Sequence, residues 1–440
     1  MGLSMKNISS PLLPFKLKIT KDNITPHAGL GLFGEFLYSQ RISELFDELL
    51  PRRKSSKSYM PSTFALPLLL TMHGGGRHIE DIREISNDEG LCKLLQMHTV
   101  PTSNATGNWL RFIGSNKKGL SGLLKLNRHL IKRALKKFKL KEFTLDIDAT
   151  EIVAEKKQAL FTYKGNQGYM PMVGHIEEVA MLIHDDFREG NIAPAAKNLA
   201  FIKKCIANMP EGKKITKFRA DAATYIAEVF NYLEEKGICF AIGGRKDVAV
   251  MEMIDELKQE DWREYQETFH ITSFIHTMND TKKAFRMIVI QRPYQSSFDV
   301  SENEENKRNS YHVIATNDFD NSEEDIVNWY NKRGNASENK IKELKIGFNM
   351  EYMPCGTTEA NAVFFRLGVI AYNLFKLFQM KILPSEWGKH TIQTIRWKLY
   401  QTAAKLVRHA GQLFMKIKQA DFNIFEEVRS KIRKFAIATF

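Results

Sequence analysis

The chain has 440 residues, 43% of them hydrophobic, and carries a formal charge of +13. That length allows two or three domains with sizeable cores, and the excess of Lys and Arg points to an anionic partner, either nucleic acid or a membrane surface. The four cysteines, Cys92, Cys205, Cys239 and Cys355, are far apart and form no CxxC pair, so neither a zinc site nor a disulfide framework is expected, which suits a reducing cytoplasm.

Residues 1–110 read as helical segments broken by turns. The N-terminus lacks the apolar core of a signal peptide. Stretch 39–51 has helical spacing, and 74–114 alternates short helical patterns with turns, as a helix-turn-helix DNA-binding module would. Stretch 64–72 is too short to span a bilayer and Arg366 interrupts 361–378; both are expected to be buried helices, with no membrane partner. Between 111 and 141 there are eleven Lys/Arg and no acid. They surround leucines and isoleucines at spacings of three and four, the pattern of a basic amphipathic helix. Lys132, Arg133, Lys136 and Lys137 are its expected phosphate-facing residues.

The pattern then changes. Segments 143–153, 173–186, 214–223 and 238–245 read as strands, with 191–210 and 224–237 as helices between them. Alternation of this kind makes an α/β layer. Three β-like stretches follow at 268–278, 283–293 and 311–318, split by a polar loop at 301–310, and read as a small β-rich insertion. Helical pattern resumes at 322–333, where Ser322 and Asp325 form an N-cap signal. The expected division is a helical DNA-binding region at 1–140, a first part of the core at 141–245, the insertion at 246–317, the last core helices at 318–385 and a basic helical tail at 386–440.

The run TLDIDATEI (144–152) places Asp146 and Asp148 on one face of a strand, where Asp is disfavoured. Either that face is solvated or the carboxylates hold a cation. Asp148 near a strand end, Asp221 at the end of a later strand and Glu338 at the start of a helix would form an oxygen-only cage suited to Mg²⁺ or Mn²⁺. Asp146 reads as a solvated strand residue. Taken singly, an Asp such as Asp221 at a strand end caps the following helix more often than it binds metal, and Glu338 is an ordinary first-turn acid. On one helix, Glu338, Lys342 and Lys345 share a face, and Tyr330 and Arg333 stand upstream.

The stretches LDIDAT (145–150), YKGNQGYMPMVGH (163–175), FRADAA (218–223), RGNASENKIKELKIGF (333–348) and MPCGTTEANAVFFRLGVIAYNL (353–374), with GGGRHIEDIREISND (74–88), resemble the DDE transposases of bacterial insertion sequences. The similarity is to the insertion-sequence family numbered thirteen-eighty, within the group that has a Tyr-Arg-Glu-Lys signature. The resemblance implies an RNase H-like catalytic core interrupted by the β-rich insertion, a triad of Asp148, Asp221 and Glu338 that binds Mg²⁺ with Mn²⁺ tolerated, and a signature at Tyr330, Arg333, Glu338 and Lys345. The gap from Arg333 to Glu338 is one residue longer than the family pattern, which Gly334 would absorb as a break. It further implies a homodimer or larger assembly on double-stranded DNA in a bacterial cytoplasm, at the nucleoid. There the enzyme would cut at the terminal inverted repeats and join the freed 3′ hydroxyl to target DNA. Lys342 and Lys345 would contact phosphate, and Tyr330 would orient it. Trp262 and Trp329 are expected to be packed rather than stacked on a displaced base. The alternatives are a catalytically silent DNA-binding relic or regulator, and another RNase H-like nuclease. The triplet His184, Asp185 and Asp186 reads as a strand-to-turn exit rather than a phosphohydrolase site.

Overall fold

The structure is a computed structural model; it describes residues 15–55, 58–136, 138–293, 309–334 and 339–439. In chain order, strand β1 (Asn23–Thr25) precedes helices α1 (Ala28–Ser39), α2 (Ile42–Leu49), α3 (Pro61–Gly74), α4 (Ile82–Asn87), α5 (Glu89–Leu94), α6 (Ser103–Ser115) and α7 (Lys117–Leu135). Then come β2 (Glu142–Ala149), β3 (Ile152–Val153), β4 (Leu160–Phe161), β5 (Gln167–Tyr169), β6 (Met172–Ile176), β7 (Met181–Asp186), α8 (Asn198–Ala207), β8 (Lys214–Ala220), α9 (Ala227–Glu235), β9 (Cys239–Gly243) and α10 (Val248–Asp255). Strands β10 (Arg263–Tyr265), β11 (Phe269–His276), β12 (Phe285–Arg292) and β13 (Ser310–Thr316) lead into α11 (Glu323–Arg333), α12 (Asn339–Lys342) and α13 (Thr358–Lys381). The chain closes with α14 (Ile392–Ile395), β14 (Ala404–His409), β15 (Gln412–Lys416) and α15 (Gln419–Thr439).

A nine-stranded sheet organises the molecule, in the order β10-β11-β12-β13-β9-β8-β2-β6-β7. β2 runs parallel to β8, and β8 parallel to β9; the other pairings are antiparallel. Parallel neighbours need a crossover that covers the sheet. Accordingly β2 is buried from Phe143 to Ile147, on both of its faces. Asp146 is therefore not the solvated residue expected from alternation. It is fully buried, because α11 and the turn after β6 close over that face.

The expected strand 173–186 is a hairpin, β6 and β7, turned by a single 3-10 turn at Glu177–Val179 and by Ala180 at φ 53°. The strands expected as a β-rich insertion continue the central sheet. β13 pairs with β9 and so extends the central sheet, and α10 adds a helix that the β-like pattern did not predict. The tail expected to be helical contains the hairpin β14–β15, which pairs with β1. Its two-residue loop is Ala410-Gly411, both at positive φ, the geometry of a primed hairpin turn.

Helix α13 is the central beam. It is long and apolar enough to cross a membrane, yet 89% of its apolar window is buried, against α3, α6, α7 and β7. Arg366, which interrupts its apolar run, is neutralised by the buried Asp185 on β7. Asn373 holds the same strand, accepting from Leu182 N at 2.9 Å and donating to Leu182 O at 2.8 Å.

The N-cap expected at 322–333 is present: Ser322 Oγ accepts from Asp325 N at 3.1 Å. Ser322→Ala removes it and is expected to cost about 1 kcal/mol. Chemical denaturation checks this, and a cost below the error of the measurement would show that packing of α11 on the sheet, not its cap, sets the helix start.

Candidate active site

The site is built where β2 and β8 end side by side. Their parallel register pairs Asp146 with Arg219. Two residues further along each strand stand Asp148 and Asp221. Asp221 has extended backbone, φ −78° and ψ 178°, so it continues the line of β8. Neighbouring strands lie about 4.8 Å apart, and residues two apart share a face. The register thus sets the two aspartates at equivalent positions on adjacent strand ends. Both are half-buried. Asp221 Oδ1 also accepts from Ala223 N at 3.1 Å, capping the single turn Ala222–Thr224. The capping role and the site role fall on one residue.

Helix α11 lays the other expected groups over these ends. Arg333 Nη2 lies 3.4 Å from Asp148 Oδ2, and the same nitrogen donates to Ile147 O at 3.4 Å. Tyr330 packs over the end of β9, its hydroxyl 3.0 Å from where a Cβ on Gly243 would sit. A side chain at Gly243 would crowd both the Ala222 backbone nitrogen and the Tyr330 hydroxyl. Burial raises the Tyr330 pKa; Arg333 opposes this, and the carboxylates of Asp221 and Asp148 both add to the rise. Its phenol therefore stays protonated, as a donor beside two carboxylates. Gly334, expected to absorb the longer gap after Arg333 as a break, has helical backbone at φ −53° and ψ −57°. Glu338 lies outside the described residues.

Beyond that segment, α12 changes at Glu343 into a π turn, Glu343–Gly347. The spacing from Lys342 to Lys345 thus runs through this wider turn and not through a straight α-helix. Lys342 is exposed, and Lys345 Nζ donates to Glu151 O at 2.8 Å, just past the end of β2. Lys345 is thus fastened to the strand that carries Asp148.

The basic helix lies elsewhere. α7 packs on α2, α13 and β7, two strands along the sheet from β2. Lys132 and Lys136 are exposed. Arg133 is half-buried and one of its guanidinium nitrogens donates to Gln40 O, just past the C-terminal end of α1. Lys137 lies outside the described residues. Trp329 is packed, with Lys217 and Arg219 over its ring at 5.7 and 5.6 Å, and Trp262 stacks on Tyr311 at 6.2 Å.

Beneath the site is a buried charge cluster that the sequence reading missed. Arg219 Nε and Nη2 donate to Asp146 Oδ1 and Oδ2 at 2.7 and 2.8 Å, and Glu177 also reaches Arg219. His175 Nε2 lies 3.2 Å from Asp146 Oδ2. Burial alone would raise the Asp146 pKa; the adjacent His175 and the Arg219 fork outweigh it and hold the carboxyl well below its usual range. Burial depresses His175 to about 4, against the pull of Asp146, so the imidazole is neutral. Burial also lowers Lys340 to about 8, opposed by the Asp146 charge. The available signal was the matched spacing of Asp146-Ile147-Asp148 and Arg219-Ala220-Asp221.

Among the described residues no group of three His, Cys, Asp or Glu is disposed to hold a metal. Two carboxylates at equivalent strand ends nevertheless supply the hard oxygen donors that Mg²⁺ and Mn²⁺ prefer. No curated protein matches the sequence. Among solved structures, the chain is similar to the piggyBac transposase in its synaptic complex with hairpin DNA: 10% identity, TM-score 0.47, covering 92% of this chain and 81% of that one. The profile of the family described as transposase DDE domain, group 1, matches residues 14–436, and the chain belongs to that family.

Proposed function

We propose that this DDE transposase binds the terminal inverted repeats of its own insertion sequence, cleaves at the element ends and joins the 3′ hydroxyl to target DNA, acting as a homodimer or larger assembly at the nucleoid of a bacterial cytoplasm. The observation that carries the reading is the matched placement of Asp148 and Asp221 on adjacent parallel strand ends, under Tyr330 and Arg333. The part of the sheet made by β7, β6, β2, β8 and β9 supports an RNase H-like core, and the signature residues support placement in the thirteen-eighty branch.

Asp148, Asp221 and, by its place in the sequence, Glu338 would hold the divalent metal. When bound, Mg²⁺ or Mn²⁺ activates the attacking oxygen and stabilises the leaving one in phosphodiester cleavage. The chain's own residues do the rest. Tyr330 offers a phenolic proton to a phosphate oxygen. Arg333 holds Asp148 and presents further guanidinium donors to the same phosphate. Lys345, fixed to Glu151 O, and the exposed Lys342 add positive charge along the strand path. Basic α7 offers Lys132 and Lys136 to flanking duplex.

Duplex carrying the termini that flank the gene, incubated with purified protein and Mg²⁺ beside scrambled ends, tests the reading. Nicks at the element boundary followed by joined products are expected for the true ends alone. Cutting of both duplexes without joining would make the protein a general nuclease, and binding without cutting would make it a silent DNA-binding relic.

A further inference from the structure

We propose that Arg219 is a positioning residue of this site: held by Asp146, it ties both aspartate-bearing strand ends to the helix that carries Tyr330 and Arg333. The inference rests on the DNA-cleaving reading above.

Both side chains are fully inaccessible, so neither can touch DNA or a metal directly. Their contacts instead join three elements. Asp146 precedes Asp148 by two residues on β2, and Arg219 precedes Asp221 by two residues at the end of β8. Arg219 Nη1 donates to the carbonyl of Trp329 at 2.6 Å, one residue before Tyr330 and four before Arg333 on α11. A guanidinium fork on a carboxylate fixes orientation as well as distance. It therefore sets the relative height of β2 and β8, while the third nitrogen sets how far α11 reaches over them.

The surroundings agree. Glu177, in the turn after β6, closes on Arg219 from the side, and His175 fills the space behind Asp146. Lys340 follows the segment that contains Glu338. Its Nζ is buried with no hydrogen bond to a described residue, within reach of the Asp146 and Glu178 charges. The same cluster thus borders the helix that resumes after the third expected acid. Buried ion pairs are costly, and apolar residues of like volume commonly fill such space at equal or better stability. A role in packing alone does not account for an Arg, Asp, His and Lys gathered here; a role in alignment does.

The test compares the full-length wild type with Arg219→Lys and with the apolar pair Asp146→Leu/Arg219→Met. Thermal melting, binding of element ends, nicking rate and Mn²⁺ affinity by electron paramagnetic resonance on DNA-free protein are measured for each. The apolar pair is expected to melt close to the wild type and to bind ends equally. It should nick about a hundredfold more slowly, the cost of an ångström-scale misplacement, and bind Mn²⁺ about tenfold more weakly, as loss of support behind metal ligands does. Arg219→Lys keeps the charge but loses the fork, so it should fall between the two. Mn²⁺ affinity does not depend on cleavage. It reads this inference even if the wild type fails to nick its ends, a result that would sink the proposed reaction instead. A folded apolar pair with wild-type nicking and Mn²⁺ affinity would overturn the proposal. If that pair does not fold, wild-type values for Arg219→Lys would overturn it equally.

Discussion

Asp148→Asn and Asp221→Asn should each slow nicking of element ends by about a thousandfold or more while leaving end binding unchanged. A metal-held phosphodiester transition state draws several kcal/mol from its metal, and each 1.36 kcal/mol is a factor of ten in rate, so losing a ligand charge removes about three decades. The fold is expected to survive both changes. At 221, Asn keeps the oxygen that caps the turn to Ala223 N, and Asn caps as well as Asp. At 148 the side chain is half-buried, its amide oxygen still faces Arg333, and Arg333 retains Ile147 O. Single-turnover nicking, gel-shift affinity and melting temperature check the three parts separately. A loss under tenfold in either variant would remove that aspartate from the ligand set.

Arg366→Leu is expected to be the most destabilising single change considered, at about 3–5 kcal/mol, because it strands the Asp185 carboxylate in the core. Arg366 Nε lies 2.9 Å from both Asp185 oxygens, Nη2 lies 2.6 Å from Oδ2, and Asp185 has no exposed surface. The pair clamps α13 to the edge strand β7, far along the sheet from β8. Arg366→Leu with Asp185→Leu should recover most of the loss, since no charge is then left unpaired. Chemical denaturation of the three proteins tests this. A single variant that unfolds within 1 kcal/mol of the wild type, roughly the worth of one ordinary hydrogen bond, would show that water or another group compensates Asp185.

The legible parts of this molecule follow from short-range rules. Strand ends at Asp148 and Asp221 could be read because alternation and a following turn mark them. The cap at Ser322 and the buried α13 follow from local chemistry and continuous apolar pattern. What alternation does not reveal is what covers a face. Asp146 and Asp148 look equivalent in TLDIDATEI, yet one is sealed under Arg219 and the other opens toward Arg333. The hairpin at 172–186 was hidden because its turn uses Glu177, Glu178 and a left-handed Ala180 in place of Gly or Pro. The C-terminal hairpin had a readable signal in Ala410-Gly411, but its basic flanks resemble a helix surface. Lys345 is fastened beside β2 by a π turn and a backbone carbonyl, neither of which helical spacing reveals.

The central claim is that the two strand-end aspartates work with Glu338 in one metal-dependent cleaving centre. End nicking in Mg²⁺ by the wild type and by Glu338→Gln, on duplex carrying the element's own termini, tests it most directly. The wild type is expected to nick at the boundary, and the variant to bind the same DNA with equal affinity and leave it intact. Equal cutting by the two proteins would take Glu338 out of the site and contradict the account.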